Sequence, residues 1–298
     1  MAAGAPEESI TDVPQEIDEY ELVDPVDILT PLDKSGFWNG VKATKWSERR
    51  DAVGELTKLA STKRIAPGDF SEVCRTLKKL VTDVNLAVSV EAIQAIGNLA
   101  KGLRNHFAAS SRYLLPILLE KLKEKKPTLT DALTQTLQAM HKSGCLMLAD
   151  VIEDVKVAVK NKVPLVRSLT LNWVTFCIET NNKATILKLH KDFVPMFLES
   201  LNDGTPEVRD AAFASLAAIA KMVGMRPLER SLEKLDEVRK KKLSDIIGGP
   251  GSGEALTSGS APPSNSSTSL SGPGKIPIVP SMTVQTSVSC PRAQNYPA

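Results

Sequence analysis

Five short polar segments hold the residues with most capacity for chemistry: Thr44–Arg50, Thr82–Asn85, Lys123–Pro127, Lys160–Pro164 and Asn202–Arg209. They carry Trp46 among Lys45, Glu48, Arg49 and Arg50, a Lys-Glu-Lys-Lys run ending at Lys126, then Lys160 and Lys162, and finally Arg209. Cations with one large aromatic suit recognition of an acidic protein face, the Trp as anchor and the Lys as steering charges. Trp46 is the sharpest of these signals, because its charged neighbours are poor company for a core residue. The competing reading tucks its ring against a neighbouring segment. Arg209 also has two readings, an ion pair with Asp203 or a contact with a partner, and Arg167 stands in the equivalent place one segment earlier. The Lys123–Lys126 run on its own reads as a solvated face, and only its place beside the other segments raises it.

Bond-making chemistry finds no such support. His106, His141 and His190 are far apart, without metal-ligand spacing. Gly272-Pro-Gly-Lys275 lacks the spacing of a phosphate-binding loop, and neither a nucleophile elbow nor a dinucleotide fingerprint is present. The chain reads as a non-enzyme that needs no cofactor or metal. Cys74, Cys145, Cys177 and Cys290 form no CxxC pair, and three of them fall in apolar helical patterns, as reduced buried cysteines do.

The elements that position the five segments are helices. Phe70, Val73, Leu77 and Leu80 recur at helical spacing, as do Leu115, Leu118, Leu119 and Leu122, and Val208, Ala212, Leu216 and Ile219. Val155, Val157 and Val159 alternate like a strand, but with Val151 and Ile152 they also fit a helix, and no partner strand is in sight. Trp173 belongs to an apolar stripe and reads as core, whereas Trp38 beside Phe37 staples the entry to the first helix.

The segments also repeat. Thr205-Pro206-Glu-Val208-Arg209 aligns with Val163-Pro164-Leu-Val166-Arg167 and with Lys126-Pro127-Thr-Leu129, each Pro standing where a helix begins and its missing N–H costs nothing. The same register reaches Asn85 and Ser47, so anchors at 47, 85, 127, 164 and 206 are spaced by 38, 42, 37 and 42 residues. A period near 40 with two helices per unit is that of HEAT repeats. The expectation is an all-α solenoid of six helix pairs, the sixth running from Arg226 to Ile247, with the five loops aligned on one edge.

The net charge of +2 conceals a segregation. Residues 1–33 hold ten acids and no Lys or Arg, residues 250–298 carry +1, and the stretch between carries +11. Three regions follow: an acidic, partly disordered arm over 1–25, the helical domain over 26–249, and a disordered tail over 250–298 with eleven Ser, eight Pro and five Gly. The basic run Arg239–Lys242 is placed near the end of the last helix, complementing its dipole. No run of about 18 apolar residues is present to span a membrane, and the acidic N-terminus lacks the features of a secretory signal.

Several motifs carry a family likeness. Asp18-Glu-Tyr-Glu-Leu-Val-Asp-Pro-Val-Asp-Ile28, Lys45-Trp46-Ser-Glu-Arg49, Lys121-Leu-Lys-Glu-Lys-Lys-Pro127 and Asn202-Asp-Gly-Thr-Pro-Glu-Val-Arg-Asp-Ala-Ala-Phe213 together resemble the second TOG domain of the ch-TOG family of microtubule polymerases, over about residues 18–247. The resemblance implies a paddle of six HEAT repeats whose intra-repeat loops grip the curved αβ-tubulin heterodimer. It implies roles in microtubule growth at plus ends and in spindle organisation, hence a cytoplasmic, cytoskeletal location. It also assigns residues. Trp46 matches the first-loop aromatic expected on β-tubulin, Val84 and Asn85 the second loop, Lys126 the third, Asn161 and Lys162 the fourth, and Arg209 the fifth-loop arginine expected on α-tubulin. The partner expected is tubulin or the microtubule, bound by a monomer, with no membrane.

Two other readings stand beside it. A generic HEAT scaffold would bind an acidic protein or an extended peptide in its concave face, and the Trp46 edge would then be idle. Nucleic acid would suit the basic body, but no stacking aromatic beyond Trp46 lies on the ridge and the acidic arm would repel phosphate.

Overall fold

Three helices begin on proline, Pro127, Pro164 and Pro206, each following a residue in extended conformation. Proline's fixed φ suits that first position and its absent N–H leaves no donor wanting there. Trp46 and Leu86 occupy the same first position in the two earlier units, so the true starts fall at 46, 86, 127, 164 and 206. The first two lie one residue from the Ser47 and Asn85 anchors.

The computed structural model describes residues 18–247. Within them the elements pair as expected: α1 (Leu29–Lys34) and α2 (Phe37–Gly40) with α3 (Trp46–Leu59), α4 (Ser71–Leu80) with α5 (Leu86–Leu103), α6 (Ala108–Lys121) with α7 (Pro127–Lys142), α8 (Ile152–Ala158) with α9 (Pro164–Glu179), and α10 (Lys183–Ser200) with α11 (Pro206–Val223). The sixth unit is built of short elements. A 3₁₀ turn over Arg226–Leu228 leads to α12 (Glu229–Leu232) and α13 (Glu237–Ile247). Arg239 and Lys240 therefore lie in the first half of α13, and the dipole role assigned to them is wrong. Instead the Arg239 guanidinium donates to the Leu201 carbonyl and to Asn202 Oδ1, tying the sixth unit to the fifth loop.

The second helices of each pair, α3, α5, α7, α9 and α11, lie side by side in order, backed by α4, α6, α8 and α10. One apolar core runs through the stack, with Leu56, Ile93, Ile96, Leu115, Leu133, Val174, Phe193, Phe197 and Leu216 at most 1% exposed. Burying each such side chain stabilises by about 1.5–3 kcal/mol, so the core outweighs any surface pair. Val155 sits buried in α8, which settles the alternating segment as helix. Trp173 is core, and Trp38 donates from Nε1 to Asp33 Oδ1 at 2.7 Å while its ring meets Phe37 edge-on. Cys74, Cys145 and Cys177 are buried free thiols, whose burial pushes Cys74 and Cys145 up to about 11.

Residues 18–26 lie packed on the body. Tyr20 is 7% exposed and donates from its hydroxyl to the Gly102 carbonyl at 2.9 Å. Its ring is flanked by the Arg104 and Arg64 guanidinium carbons at 3.8 and 5.1 Å. Val26 then exchanges backbone hydrogen bonds with the 64–66 segment. The expected disordered tail lies outside the described residues.

Close helix contact sets one test. A Cβ on Gly97 in α5 would stand 2.8 Å from Thr136 Oγ1 in α7, a hydroxyl already donating to the Ile93 carbonyl. Alanine's helix propensity favours the change by ~1 kcal/mol, but overpacking costs about 1–3 kcal/mol. Gly97→Ala should therefore lower the urea unfolding free energy by up to about 2 kcal/mol; a raised value would show that the α5–α7 contact is looser than drawn.

Candidate protein-binding edge

Side chains in a helix tilt toward its N-terminus. The first residue of each second helix therefore projects off the edge where the loops lie. Trp46, 45% exposed, does so, and the neighbouring loop adds Val84 at 99%. The two share a cleft of about 460 Å³ with Lys45, Arg49 and Asn85. The Arg50 guanidinium lies 5.7 Å from the Trp46 ring centroid.

What holds the loops is a bond that the first five units repeat. The fourth residue of each second helix donates to the carbonyl six residues earlier: Arg49 to Ala43, Ser89 to Asp83, Thr130 to Glu124, Arg167 to Asn161 and Arg209 to Asp203, at 2.7–3.3 Å. In three loops the residue bearing that carbonyl also closes an Asx turn, Asp83 onto Asn85 N, Asn161 onto Val163 N and Asp203 onto Thr205 N. Backbone groups that no helix satisfies thereby find partners.

Arginine at this position has donors to spare. Arg49 grips Asp83 of the next unit through two bonds of 2.8 and 2.9 Å, and Arg167 grips Asp203 the same way at 2.8 Å each. The expected pairing of Asp203 with Arg209 is thus corrected: the carboxylate belongs to Arg167, and Arg209 holds only the Asp203 carbonyl. Sequence spacing pointed to the nearer arginine in the chain, whereas stacking brings the previous unit's arginine alongside. These pairs are largely shielded, with side chains 9–15% exposed. The hydrogen bonds from Arg49 and Arg167 hold the Asp83 and Asp203 carboxyls below their ordinary 3.8. Ser89 and Thr130 have no such reach, so the ladder joins units one and two and units four and five, and is broken at the third.

The other expected site residues divide by what already occupies them. Asn85 accepts from Ala87 N as a helix cap, and Asn161 donates to Glu120 while accepting from Val163 N. Both side chains are committed to the fold. Lys123 and Lys121 face Glu120 and Glu124, and Lys160 lies 3.9 Å from Glu199. Lys125, Lys126 and Lys162 are exposed and meet no carboxylate among the described residues. Arg209 is half-buried with donors left over. Trp46, Val84, Lys126, Lys162 and Arg209 thus stand available along one edge. Sequence reasoning missed the roles of Asp83, Ser89 and Thr130 and gave Arg239 a different one, although the hydroxyls at 89 and 130 share the register of Arg49, Arg167 and Arg209. No group of three or more His, Cys, Asp or Glu able to hold a metal occurs among the described residues.

The family model described as CLASP N terminal matches residues 41–244. The chain is 79% identical over 259 residues to Protein MOR1 of Oryza sativa subsp. japonica, covering 87% of this chain and 13% of that protein. It therefore spans about an eighth of that relative's length. A structure described as "Structural Basis of Microtubule Plus End Tracking by XMAP215, CLIP-170 and EB1" superposes with a TM-score of 0.71 at 27% identity, over 77% of this chain and 95% of that one. Another, "Structural Basis of Tubulin Recruitment and Assembly by Microtubule Polymerases with Tumor Overexpressed Gene (TOG) Domain Arrays", gives 0.69 at 29% identity, over 78% of this chain and 49% of that one.

The ladder sets a second test. Arg49→Ser and Arg167→Ser keep a hydroxyl for the loop bond, as Ser89 has, but strand a shielded carboxylate. Each should cost about 1–3 kcal/mol of stability in denaturant titrations. Because the folded pKa of each Asp is depressed, its contribution is complete above about pH 4 and lost as pH falls through the folded value. The acid slope of wild-type stability should thus be shallower in the serine variants; an identical slope would remove the ladder from the account.

Proposed function

The chain belongs to the CLASP N-terminal family as a TOG domain of the ch-TOG type, and from this premise we propose that its loop edge binds the curved αβ-tubulin heterodimer. Microtubule growth and the organisation of microtubules and spindles in the cytoplasm are the processes such binding serves. The observation that carries the reading is the alignment of Trp46, Val84, Lys126, Lys162 and Arg209 on one edge, with the loops stitched in place. A protein edge with a half-exposed tryptophan and unpaired lysines fits a large acidic protein better than it fits a small ligand.

Magnitudes separate the roles. The part of Trp46 still exposed is roughly 100 Å², and covering it contributes about 2–3 kcal/mol. An exposed lysine contributes about 0–1 kcal/mol and is screened by salt. Trp46 thus sets affinity, and Lys126 and Lys162 chiefly set the association rate. Asn85 and Asn161 act by shaping their loops rather than as contacts. One edge holds one heterodimer, so the gain in effective concentration that linked sites provide needs further copies of the domain.

The test is co-elution of the full chain with unpolymerised αβ-tubulin on a sizing column, with titration by fluorescence anisotropy. A one-to-one complex is expected, weakened about 30-fold or more by Trp46→Ala, since each 1.4 kcal/mol is tenfold. Arg209→Ala would confound contact with loop support; Arg209→Thr keeps a hydroxyl for the Asp203 carbonyl, as Thr130 has, and removes only the guanidinium. Weakening by Arg209→Thr with unchanged helical circular dichroism supports direct contact. Binding that survives Trp46→Ala together with Arg209→Thr would move the site off this edge, and no complex at low salt would end the tubulin reading.

A further inference from the structure

The second helices all start at the loop edge, so α3, α5 and α7 end together on the opposite one. There they enclose a cleft of about 630 Å³ lined by Lys63, Lys101, Arg104 and Lys142 together with Asp18 and Glu19. Lysines near helix C-termini commonly just complement the dipole. Here, however, part of the cleft is already filled by acid from the same chain: Asp18 pairs with Arg104 and Glu19 with Lys63. Tyr20, pinned to Gly102, fixes the point from which the chain enters. The hydrogen bond from Arg104, with that of the Tyr20 amide, draws the Asp18 carboxyl down to about 2, so this pairing holds throughout the neutral range.

Two cations of the cleft remain. Lys101 and Lys142 are exposed and meet no carboxylate among the described residues, although Lys142 Nζ lies 5.2 Å from the Phe176 ring centroid. The segment that leads into Asp18, residues 1–17, carries Glu7, Glu8, Asp12 and Glu16 and no Lys or Arg. Seventeen residues reach at most about 60 Å, and Glu16 is only two residues from a group already in the cleft. We propose that residues 1–17 are the cleft's occupant, their carboxylates lying against Lys101 and Lys142 in continuation of the Asp18 and Glu19 pairs. The arm so placed spans the ends of α3, α5 and α7 and binds the first three units together. It lies on the edge away from Trp46 and Lys126, so it leaves the loop edge open rather than masking it.

The test uses the full chain with a nitroxide at Ser9→Cys and with Cys290→Ser, the three remaining cysteines being buried. Paramagnetic broadening should appear at the amides of Lys101, Lys142 and Ser143. It should vanish in 0.5 M salt, roughly where screening shortens to a few ångström, and in Lys101→Glu with Lys142→Glu. Both lysines are exposed, and the amide spectrum itself reports whether that variant is folded. Broadening centred instead on Lys126 and Lys162 would overturn the proposal in favour of an arm that masks the loop edge. Broadening unaffected by charge reversal, or spread over no one surface, would overturn it too. If the arm leaves the cleft free while an added poly-glutamate peptide shifts the Lys101 and Lys142 amides, the cleft serves a foreign acidic segment and the proposal fails.

Discussion

A single hydrogen bond, from the fourth residue of a helix to the carbonyl six residues before it, underlies the whole loop edge. Each loop is a few polar residues between two helices, and without an internal tie its backbone groups would turn to water and its conformation would spread. The tie recurs in five units with three side-chain types, Arg, Ser and Thr. What it needs is a donor of suitable reach, not a charge. Once it is made, the residue three places earlier, Trp46, Leu86, Pro127, Pro164 or Pro206, is held at the lip of the stack. The direction in which a helix throws its side chains then decides what that residue presents to a partner.

Arginine at this position adds a second function to the first. Its remaining donors carry the loop bond across to the next unit, where Asp83 and Asp203 wait in their own Asx turns. The edge is thereby divided into two stiff halves, units one with two and four with five. The third loop between them is stitched internally but not laddered. In the helix layer α7 and α9 also pack less closely than α5 with α7 or α9 with α11. Both features place the least constrained part of the stack beside its third loop, so any adjustment of the edge to a partner's curvature costs least there.

The helical period, the forty-residue repeat and the alignment of loops were all legible in the chain, because proline at a helix start and apolar spacing are local signals. The ladder was not. Asp203 lies six residues from Arg209 and thirty-six from Arg167, and only the stacking of units brings the more distant pair together. Asn85 and Asn161 show the same limit from the other side. Their positions in the loops were evident, but that their side chains serve the backbone depends on the turn geometry. The basic run Arg239–Lys242 was misplaced because the chain turns through Pro227 and a short helix before α13 begins at Glu237. Tyr20 carried a signal that composition hid, as the one aromatic among the acids of the arm.

The net charge of the body, +11, overstates what a partner would meet. Asp18, Glu19 and Glu21 offset three of those charges at Arg104, Lys63 and Arg64, while Arg49, Arg167, Lys121 and Lys123 are each held against an acid already counted in that total. A cation in a shielded pair adds little to the outer field, since its carboxylate cancels it within a few ångström. The long-range attraction at the loop edge therefore comes from a few groups, Lys125, Lys126 and Lys162, clustered on loops three and four. Trp46 stands at the far end of the same edge. On the proposed reading, an acidic partner would be drawn first toward the middle of the stack, and its position along the edge would be fixed afterwards by the burial of Trp46. Attraction and anchoring are separated in space, which lets salt change how often the partner arrives without much changing how long it stays.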